Sequence, residues 1–449
     1  MSDAYFQPIL LALPSLTPSL AVELLPHGLT VHRLFVQADG RTHDLVVGPE
    51  DPRGHLEQKY TNTIIGRYTN RVPVGSYSVS RNGLTSQVSP QPNSDATPTV
   101  SLHGGPTGFD AADFEPIPLD ALVGAAPFNP ENITASSPPG ALFTPAELNT
   151  FQSMLPQGSS ALFRMVSKDG DQGYPGTLLV EVVVGLLPPN APRNSAGEYH
   201  LGSIVFIYRA KLVDGGKKVV TPINLTQHWG FNLDASLKEG PESESVKGHS
   251  LTIKATHIVD VDPAGLSTGE LIAVADTPHK HEKKLIGDQF PEVAVAGSKG
   301  GYDHFYVFAP RKQTTAPAHR IPVSSFKPDF DYAKEILSEK PDDSVVELAS
   351  KKSGLRLSFE TNQSGVQFYS NNFATGDGAK KRIHGGSGKA GPGQGYGAGS
   401  AAFLEFHEPI ASFLHPSTNP SGNDTLLGPD EIYNNFVRID VLYNSPHGL

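Results

Sequence analysis

The stretch LLVEVVVGLL, residues 178–187, is the clearest fold signal in this chain of 449 residues. Leucine and valine dominate it, and turn-forming residues follow it in PPNAP at 188–192. A short run rich in β-branched residues between turn signals predicts a strand. SIVFIYRAKLV at 203–213 has the same character and predicts a second strand close by.

Runs of this kind recur along the chain, separated by 45 glycines and 39 prolines. Further strands are predicted at SYSVS 76–80, SLTIKATHIVDV 250–261, HFYVFA 304–309, LRLSFET 355–361, VQFYSNNF 366–373 and VRIDVLY 437–443. Helices are few. Thr144, Pro145 and Glu147 supply a capping box for a helix over 144–155, and 331–340 is a weaker second candidate. The pattern predicts an all-β sandwich.

The length allows either one very large domain or two domains. Two segments read as loops, one at about 110–160 that is rich in proline and alanine, and one at 376–400 that is rich in glycine. Neither has the apolar content of a domain. We therefore expect a single β domain over 1–449 with these two excursions on its surface.

Composition excludes several classes of function. A formal charge of −11 argues against nucleic-acid binding and a polybasic membrane anchor, and no run reaches the roughly 18 apolar residues of a membrane span. The absence of cysteine excludes disulfides, thiolate metal sites and cysteine nucleophiles. The N-terminus shows no signal peptide and predicts an early strand or loop. We expect a cytoplasmic monomer or homodimer with a small-molecule partner, although secretion stays open.

The segment NLTQHWGFN at 224–232 holds the only tryptophan beside a histidine. If it is extended, Leu225, Trp229 and Phe231 point to one face and His228 to the other. The His228 face is small and polar, with space at Gly230. The pattern supports a packed histidine and a ligand-contacting histidine equally, and it predicts that Trp229 packs into the sheet.

Two other segments place titratable groups in unusual surroundings. Glu405 lies inside the apolar run of FLEFHEP at 403–409, where alternation puts Phe403, Glu405 and His407 on one face. Burial there would raise the pKa of the carboxyl toward the range of a general base. A glutamate turned to solvent at the end of a strand fits the pattern as well. His103 precedes two glycines, which suits either a ligand site or a simple hairpin turn.

Weaker candidates complete the set. Asn70 and Arg71 lie in GRYTNRVPVGSY at 66–77, and Asp303 opens an apolar strand. His279 and His281 suggest an exposed loop more than a metal site. GQGYGA at 393–398 lacks the strand and helix that dinucleotide binding requires. The absence of G-x-S-x-G and H-E-x-x-H motifs leaves proton transfer on a polyhydroxylated ligand as the best fit.

In chain order, the motifs resemble those of the aldose 1-epimerase (galactose mutarotase) family. The matching segments are GRYTNRVPVG at 66–75, LHGGPTGFD at 102–110, DGDQGYPG at 169–176, TPINLTQHWGFNL at 221–233, VDPAGLSTGE at 261–270, GYDH at 301–304, GVQFYSNN at 365–372 and LEFHEP at 404–409. One such match is weak, but eight in sequence order are specific.

The resemblance implies a large antiparallel β-sandwich of the galactose mutarotase type, with an open cleft for a monosaccharide. It implies that Glu405 acts as the base on the C1 hydroxyl and that His228 protonates the ring oxygen. His103 would assist at the ring oxygen. Hydroxyl-positioning roles fall to Asn70, Arg71, Asp303 and Gln367. No cofactor and no metal are implied.

The chain departs from the family pattern at Gln227 and at Trp229-Gly230. The loop at 376–400 precedes Glu405, so we expect it to edge the cleft, where Lys380, Lys381 and Arg382 would admit an anionic or larger saccharide. Two rival functions stay open. One is a noncatalytic carbohydrate-binding or sugar-sensing protein, and the other is an epimerase of sugar phosphates.

Overall fold

The computed structural model describes residues 3–122, 128–191, 193, 197–216, 218–292, 300–311, 318–338 and 344–445. Within these ranges the chain is built mainly of strands and has two α-helices, α1 Pro145–Met154 and α2 Ala333–Leu337. No helix in the described part of the chain has the length and apolar character needed to cross a bilayer.

The first half of the chain supplies strands β1 Ile9–Ala12, β2 Leu20–Leu25, β3 Thr30–Ala38, β4 Arg41–Asp44, β5 Ile64–Ile65, β6 Arg71–Pro73, β7 Tyr77–Arg81, β8 Leu84–Val88, β9 Val100–Leu102, β10 Glu115–Pro118, β11 Ser160–Ser167, β12 Leu178–Leu187 and β13 Tyr199–Leu212. The second half supplies β14 Thr221–Pro222, β15 Thr226–Gln227, β16 Gly230–Phe231, β17 Ser250–Ile253, β18 Ala255–Val261, β19 Ser267–Ala273, β20 Lys284–Leu285, β21 Asp303–Phe308, β22 Arg320–Pro322, β23 Val346–Ala349, β24 Leu355–Thr361, β25 Gly365–Tyr369, β26 Ala402–His407, β27 Leu426–Leu427 and β28 Glu431–Tyr443.

Three antiparallel sheets organise the molecule. A four-stranded sheet runs β1-β2-β3-β4, and a six-stranded sheet runs β16-β26-β25-β21-β18-β19. A ten-stranded sheet runs β10-β11-β12-β13-β28-β24-β23-β17-β20, with β22 paired to β28. The main core lies between the ten-stranded and six-stranded sheets and joins side chains such as Phe206 and Ile439 to Phe368 and Leu404. This is the predicted β-sandwich.

Each large sheet uses its second face differently. On the ten-stranded sheet, Leu179, Val183 and Ile207 pack under α1 and the chain before it. On the six-stranded sheet, successive side chains point to opposite faces. The neighbours of Gln367 and Glu405 along their strands pack into the core, so Gln367 and Glu405 point away from it. The described residues between 119 and 155 therefore cover the back of the sandwich, and the six-stranded sheet leaves its outer face for a site.

The strands at 178–187 and 355–361 lie where they were predicted. The prediction of one strand over 250–261 was wrong. That run breaks at Lys254, where β17 ends in the ten-stranded sheet and β18 begins in the six-stranded sheet. The backbone of Lys254 pairs with Val345 on one side and Ala309 on the other, because this residue crosses between the two layers.

Both predicted helices are present, although α2 is short. The Thr144 side chain accepts from the Glu147 backbone, and the Glu147 carboxylate accepts from the Thr144 backbone, which is the predicted capping box. Residues 339 and 340 of the second prediction lie outside the described ranges. The predicted strand at 366–373 ends at Tyr369, after which the chain turns through Asn371 with φ of +57°.

Candidate active site

A cleft of about 420 Å³ lies on the outer face of the six-stranded sheet. Its floor is set by strand register, because Gln367 pairs with Glu405 across β25 and β26 and Asp303 pairs with Tyr369 across β21 and β25. The volume falls within the roughly 300–1,000 Å³ of small-molecule sites. Alternation thus delivers three polar side chains from neighbouring strands to one surface.

His228 enters the cleft from the link between β15 and β16. Its backbone N–H donates to Thr63 at 2.9 Å, and its carbonyl accepts from Asn62 at 2.9 Å, so both sides of the residue are fixed. A side chain at Gly230 would collide with the Phe403 ring at 2.5 Å. The absence of that side chain lets the Phe403 ring approach the His228 ring, with 5.0 Å between centroids.

His228 and Glu405 are in direct contact, with 3.2 Å between Nε2 and Oε1. Burial lowers the pKa of His228 to about 4. Burial and the nearby Asp303 raise the pKa of Glu405 well above its usual value, against the opposing effect of Arg71. Burial favours the uncharged form of each group, whereas their contact favours a carboxylate beside an imidazolium. In both forms the pair holds one proton, either on the carboxyl or on the imidazole.

His103 lies against this pair. Its ring is perpendicular to the His228 ring at 5.1 Å and also contacts the Tyr60 ring at 4.8 Å. The backbone N–H of Asn70 donates to its Nδ1 at 3.3 Å. An acceptor role for Nδ1 puts the proton of the neutral ring on Nε2. Burial, followed by the proximity of His228 and Arg71, lowers the pKa of His103 well below its usual value.

Arg71, Asp303 and Gln367 form a second polar group in the cleft. Gln367 donates from Nε2 to Asp303 at 2.6 Å, and an Arg71 amino group lies 3.8 Å from the same carboxylate. Burial raises the pKa of Asp303, while Arg71 and the Gln367 hydrogen bond act in the opposite sense. The arrangement offers fixed donors and acceptors for hydroxyl groups.

Several buried polar atoms here lack a hydrogen-bond partner among the described residues. They are Glu405 Oε2, Gln367 Oε1 and His228 Nδ1. A buried polar group without a partner costs roughly 1–3 kcal/mol. Glu405 and Gln367 lie at the floor of the cleft, so their unpartnered oxygens are available to hydrogen-bond a polar ligand.

The donor set fits proton transfer better than a resident metal. His103, His228 and Glu405 each place a ligand atom within 4.8 Å of the other two. Donors around one Zn²⁺ approach it to about 2.0–2.2 Å, and metal-bound histidines as a rule hydrogen-bond through their second nitrogen. Nδ1 of His103 instead accepts from Asn70, and Nδ1 of His228 has no partner in the described chain.

All seven residues singled out from the sequence line this one cleft: Asn70, Arg71, His103, His228, Asp303, Gln367 and Glu405. Sequence reasoning missed Lys59, Tyr60, Thr61, Leu102, Tyr369, Asn371 and Phe373, which line it too. Tyr369 was accessible to prediction because it lies two residues beyond Gln367 on the same strand face. Tyr60 was not, because it lies in a turn with φ of +68°.

Other sequence expectations need correction. The prediction of an exposed loop for His279 and His281 was wrong, because both rings contact the Tyr306 hydroxyl and His281 is buried. The prediction that Lys380, Lys381 and Arg382 edge the cleft was also wrong. None of them is among the described residues that line it.

Those three basic residues have other partners. Lys381 is fully buried and donates to Asp44 and to two backbone carbonyls of the N-terminal sheet region. Lys380 pairs with Glu244 at 2.9 Å, and the Arg382 backbone donates to Glu50.

Comparison with known proteins places the chain in a known family. Residues 150–439 match the family model described as aldose 1-epimerase. Galactose mutarotase of Bos taurus is 28% identical over 362 residues, covering 80% of this chain and 76% of the relative. Aldose 1-epimerase of Escherichia coli (strain K12) is 26% identical over 272 residues, covering 60% and 59%.

Solved structures share the fold. The GalM/aldose epimerase homologue from C. elegans aligns with a TM-score of 0.62 at 19% identity, covering 98% of this chain and 99% of that one. Galactose 1-epimerase from Lactobacillus acidophilus NCFM aligns with a TM-score of 0.59 at 16% identity and the same coverage.

Proposed function

The chain belongs to the aldose 1-epimerase family, and on that premise we propose that it interconverts the α and β anomers of a free hexose, with galactose or glucose as the preferred sugar. Membership of this family makes the chain an isomerase. The observation that carries the proposal is the contact of 3.2 Å between His228 and Glu405 in the cleft.

Anomer exchange needs one group that takes a proton and another that gives one. Glu405 removes the proton from the C1 hydroxyl while His228 delivers a proton to the ring oxygen. The C1–O5 bond breaks and C1 becomes an aldehyde carbonyl. After rotation about C1–C2, O5 attacks the other face of the carbonyl. Each proton then returns to its original group.

A pair that holds one proton suits this cycle because ring opening leaves its total proton count unchanged. Burial of both groups disfavours the two states in which the pair carries a net charge, and their contact keeps the proton between them. His103 carries its proton on Nε2 and assists at the ring oxygen as a hydrogen-bond donor. The net reaction requires no oxidant, reductant or co-reactant.

Four further residues of the cleft hold the sugar hydroxyls. Asp303 and Gln367 are already joined by a hydrogen bond, so they present a fixed acceptor and amide to the ligand. Arg71 lies beside them, and Asn70 is held by a bond from the Arg71 backbone to its Oδ1 at 2.8 Å. Rigid partners of this kind reduce the entropy lost on binding.

The rival proposal is a noncatalytic sugar-binding or sensing protein with the same cleft. Such a protein needs hydroxyl contacts but gains nothing from an acid and a base in contact at the floor. Glu405 has a buried carboxyl oxygen with no hydrogen-bond partner among the described residues, which costs stability and is therefore better explained by catalysis.

Polarimetry on freshly dissolved α-galactose and α-glucose tests the proposal. We expect the wild-type chain to accelerate the decay of optical rotation, and Glu405→Gln and His228→Asn each to lower kcat by about 10²–10⁴-fold, as removal of a general acid or base does. Glu405→Gln preserves the shape of the side chain, whereas His228→Asn leaves a smaller polar side chain without Nε2.

Sugar binding by the same variants supplies the control. Glu405→Gln and His228→Asn should bind galactose within a few-fold of wild type, because Asp303, Gln367 and Arg71 remain. Wild-type protein that binds sugar without speeding mutarotation would support the sensing protein instead. Retained turnover in Glu405→Gln would show that another group is the base.

A further inference from the structure

Asn224 links chain segments that carry the cleft residues. It is completely buried. Its backbone N–H donates to Arg67 at 3.1 Å, and its carbonyl accepts from Thr69 at 2.9 Å. These bonds fix the segment that continues directly into Asn70 and Arg71.

The side chain of Asn224 reaches the strand that carries Glu405. Nδ2 donates to the Glu408 carbonyl at 3.0 Å, and the Glu408 N–H donates back to Oδ1 at 3.0 Å. The Asn224 carboxamide thus binds both backbone polar groups of Glu408, its N–H and its carbonyl. Glu408 is itself immobilised, because its carboxylate accepts from the Ser364 hydroxyl and from the Asn419 amide at 2.7 Å.

This clamp completes a frame around the acid/base pair. Beyond His228, the two chain segments are joined by strand pairing of Gly230 with Phe403 and of Phe231 with Ala402. Before His228, the Asn224 side chain joins them at Glu408. The bonds of Trp229 with Leu404 lie on the same side as the strand pairing, so loss of the Asn224 connection leaves the separation of His228 and Glu405 fixed from that side only.

We propose that Asn224 is a positioning residue for the reaction, and that its carboxamide sets the separation of 3.2 Å between His228 Nε2 and Glu405 Oε1. This inference rests on the proposed anomerase function. Asn224 acts through the Glu408 backbone and does not line the cleft described above. Its loss therefore affects the chemical step more than sugar binding.

The first test compares Asn224→Ala with Asn362→Ala. Asn362 makes a similar buried clamp away from the cleft, donating to the Asn434 carbonyl at 2.9 Å and accepting from the Phe436 N–H at 3.1 Å. We expect both variants to lower Tm by similar amounts. Only Asn224→Ala should lower kcat, by about 10²-fold, the usual cost of a displacement near 1 Å, with KM changed less than about threefold.

Outcomes that overturn the inference are equally specific. The inference is wrong if Asn224→Ala retains the wild-type kcat at a temperature where the variant is folded. It is also wrong if Asn224→Ala and Asn362→Ala lose kcat equally. A rise in KM with constant kcat would assign Asn224 to sugar binding. A wild-type chain that fails to speed mutarotation would refute the proposed function and not this structural role.

Asn224→Asp supplies a rescue experiment if the alanine variant folds poorly. An ionised aspartate cannot donate to Glu408, but a protonated carboxyl has one donor and one acceptor and re-forms both bonds. Burial raises the pKa of such a carboxyl. We expect the ratio of Asn224→Asp to wild-type kcat to rise at least fivefold as the pH falls from about 8 to about 5. A flat ratio would contradict the inference.

Discussion

Burial of His228 and Glu405 against each other changes the chemistry open to each. An isolated buried imidazole is a weak acid catalyst because it stays neutral, and an isolated buried carboxyl is a weak base because it stays protonated. At 3.2 Å the two groups share one proton, so the pair can give and take protons together. The useful property therefore belongs to the contact and not to either residue alone.

The pH profile should report this pair. As the pH falls through about 4, His228 gains a proton while Glu405 is already protonated, so the pair has no base left and activity is lost. As the pH rises through the raised pKa of Glu405, the pair loses its only proton. We expect a bell-shaped kcat/KM whose acid limb lies near pH 4.

Polarimetry over a range of pH, with the uncatalysed rate subtracted at each pH, measures the dependence of kcat/KM on pH. An acid limb near 6.5, the value of an unperturbed histidine, would show that His228 titrates as a solvent-exposed group. His228→Asn should remove the acid limb together with most of the activity.

Trp229 stabilises the floor of the cleft from the core side of the six-stranded sheet. Its side chain is 1% exposed, and its indole N–H donates to the Leu404 carbonyl at 2.7 Å. Phe206 and Phe231 surround the ring. The prediction that Trp229 packs into the sheet is confirmed. The tryptophan fastens the residue next to Glu405 from inside the core.

Among the elements, the glycine-rich segment at 376–400 differs most from expectation. Lys381 is not among the described residues that line the cleft. Its amino group donates to the Asp44 carboxylate at 2.8 Å and to the carbonyls of His32 and Val46, and both charged groups are completely buried. The segment is therefore anchored to the N-terminal sheet immediately before the chain enters β26.

Lys381→Ala should destabilise the protein without changing its sugar preference. Removing Lys381 leaves the buried Asp44 carboxylate with Arg33, 3.5 Å away, as its remaining countercharge, and we expect the free energy of unfolding to fall by about 3 kcal/mol. Urea denaturation followed by tryptophan fluorescence measures the free energy of unfolding. Lys380→Ala is the matched control, because Lys380 pairs with the solvent-exposed Glu244, and such a pair is worth at most about 1 kcal/mol.

An altered ratio of galactose to glucose kcat/KM in Lys381→Ala would count against a purely structural role. Equal stability of the two lysine variants would show that the buried pair contributes little.

At the scale of the whole molecule, the back of the ten-stranded sheet and the cleft are separate regions. Glu147 of α1 and Arg209 of β13 form a fully buried ion pair at 2.6 Å that fastens the segment at 110–160 to the sheet. Glu181 of β12 accepts from the backbone of Gly140 and Leu142 at 2.9 Å. These charged residues interrupt apolar strands because they hold the covering layer.

Glu147→Gln should separate stability from catalysis. Glutamine preserves the capping box, whereas loss of the charge leaves Arg209 buried and uncompensated. We expect the free energy of unfolding to fall by about 3 kcal/mol with kcat and KM for galactose unchanged. Calorimetry and polarimetry on the same preparation check this, with the exposed Glu131→Gln as control. A changed kcat would mean that the back layer influences the cleft.

The strands that the sequence predicted best are those whose local pattern is unmixed. LLVEVVVGLL and LRLSFET form strands over the predicted residues because branched side chains favour a pleated, packed surface. The sheet of β1 to β4 was largely missed, since TVHRLFVQA carries His32 and Arg33 among its apolar residues. The break at Lys254 was unpredictable, because a run that crosses between layers looks locally like a single strand.

By itself, the sequence determined the all-β class, the capped helix at 145–154 and seven of the polar residues that line the cleft, because alternation, capping and ordered motifs are local properties. Only the tertiary structure decided that His228 and Glu405 touch, that Lys381 lies in the interior and that Asn224 joins the segments on which the cleft is built. Those facts depend on which distant segments share a sheet and on which buried charges and amides find partners there. Local sequence patterns do not specify such pairings.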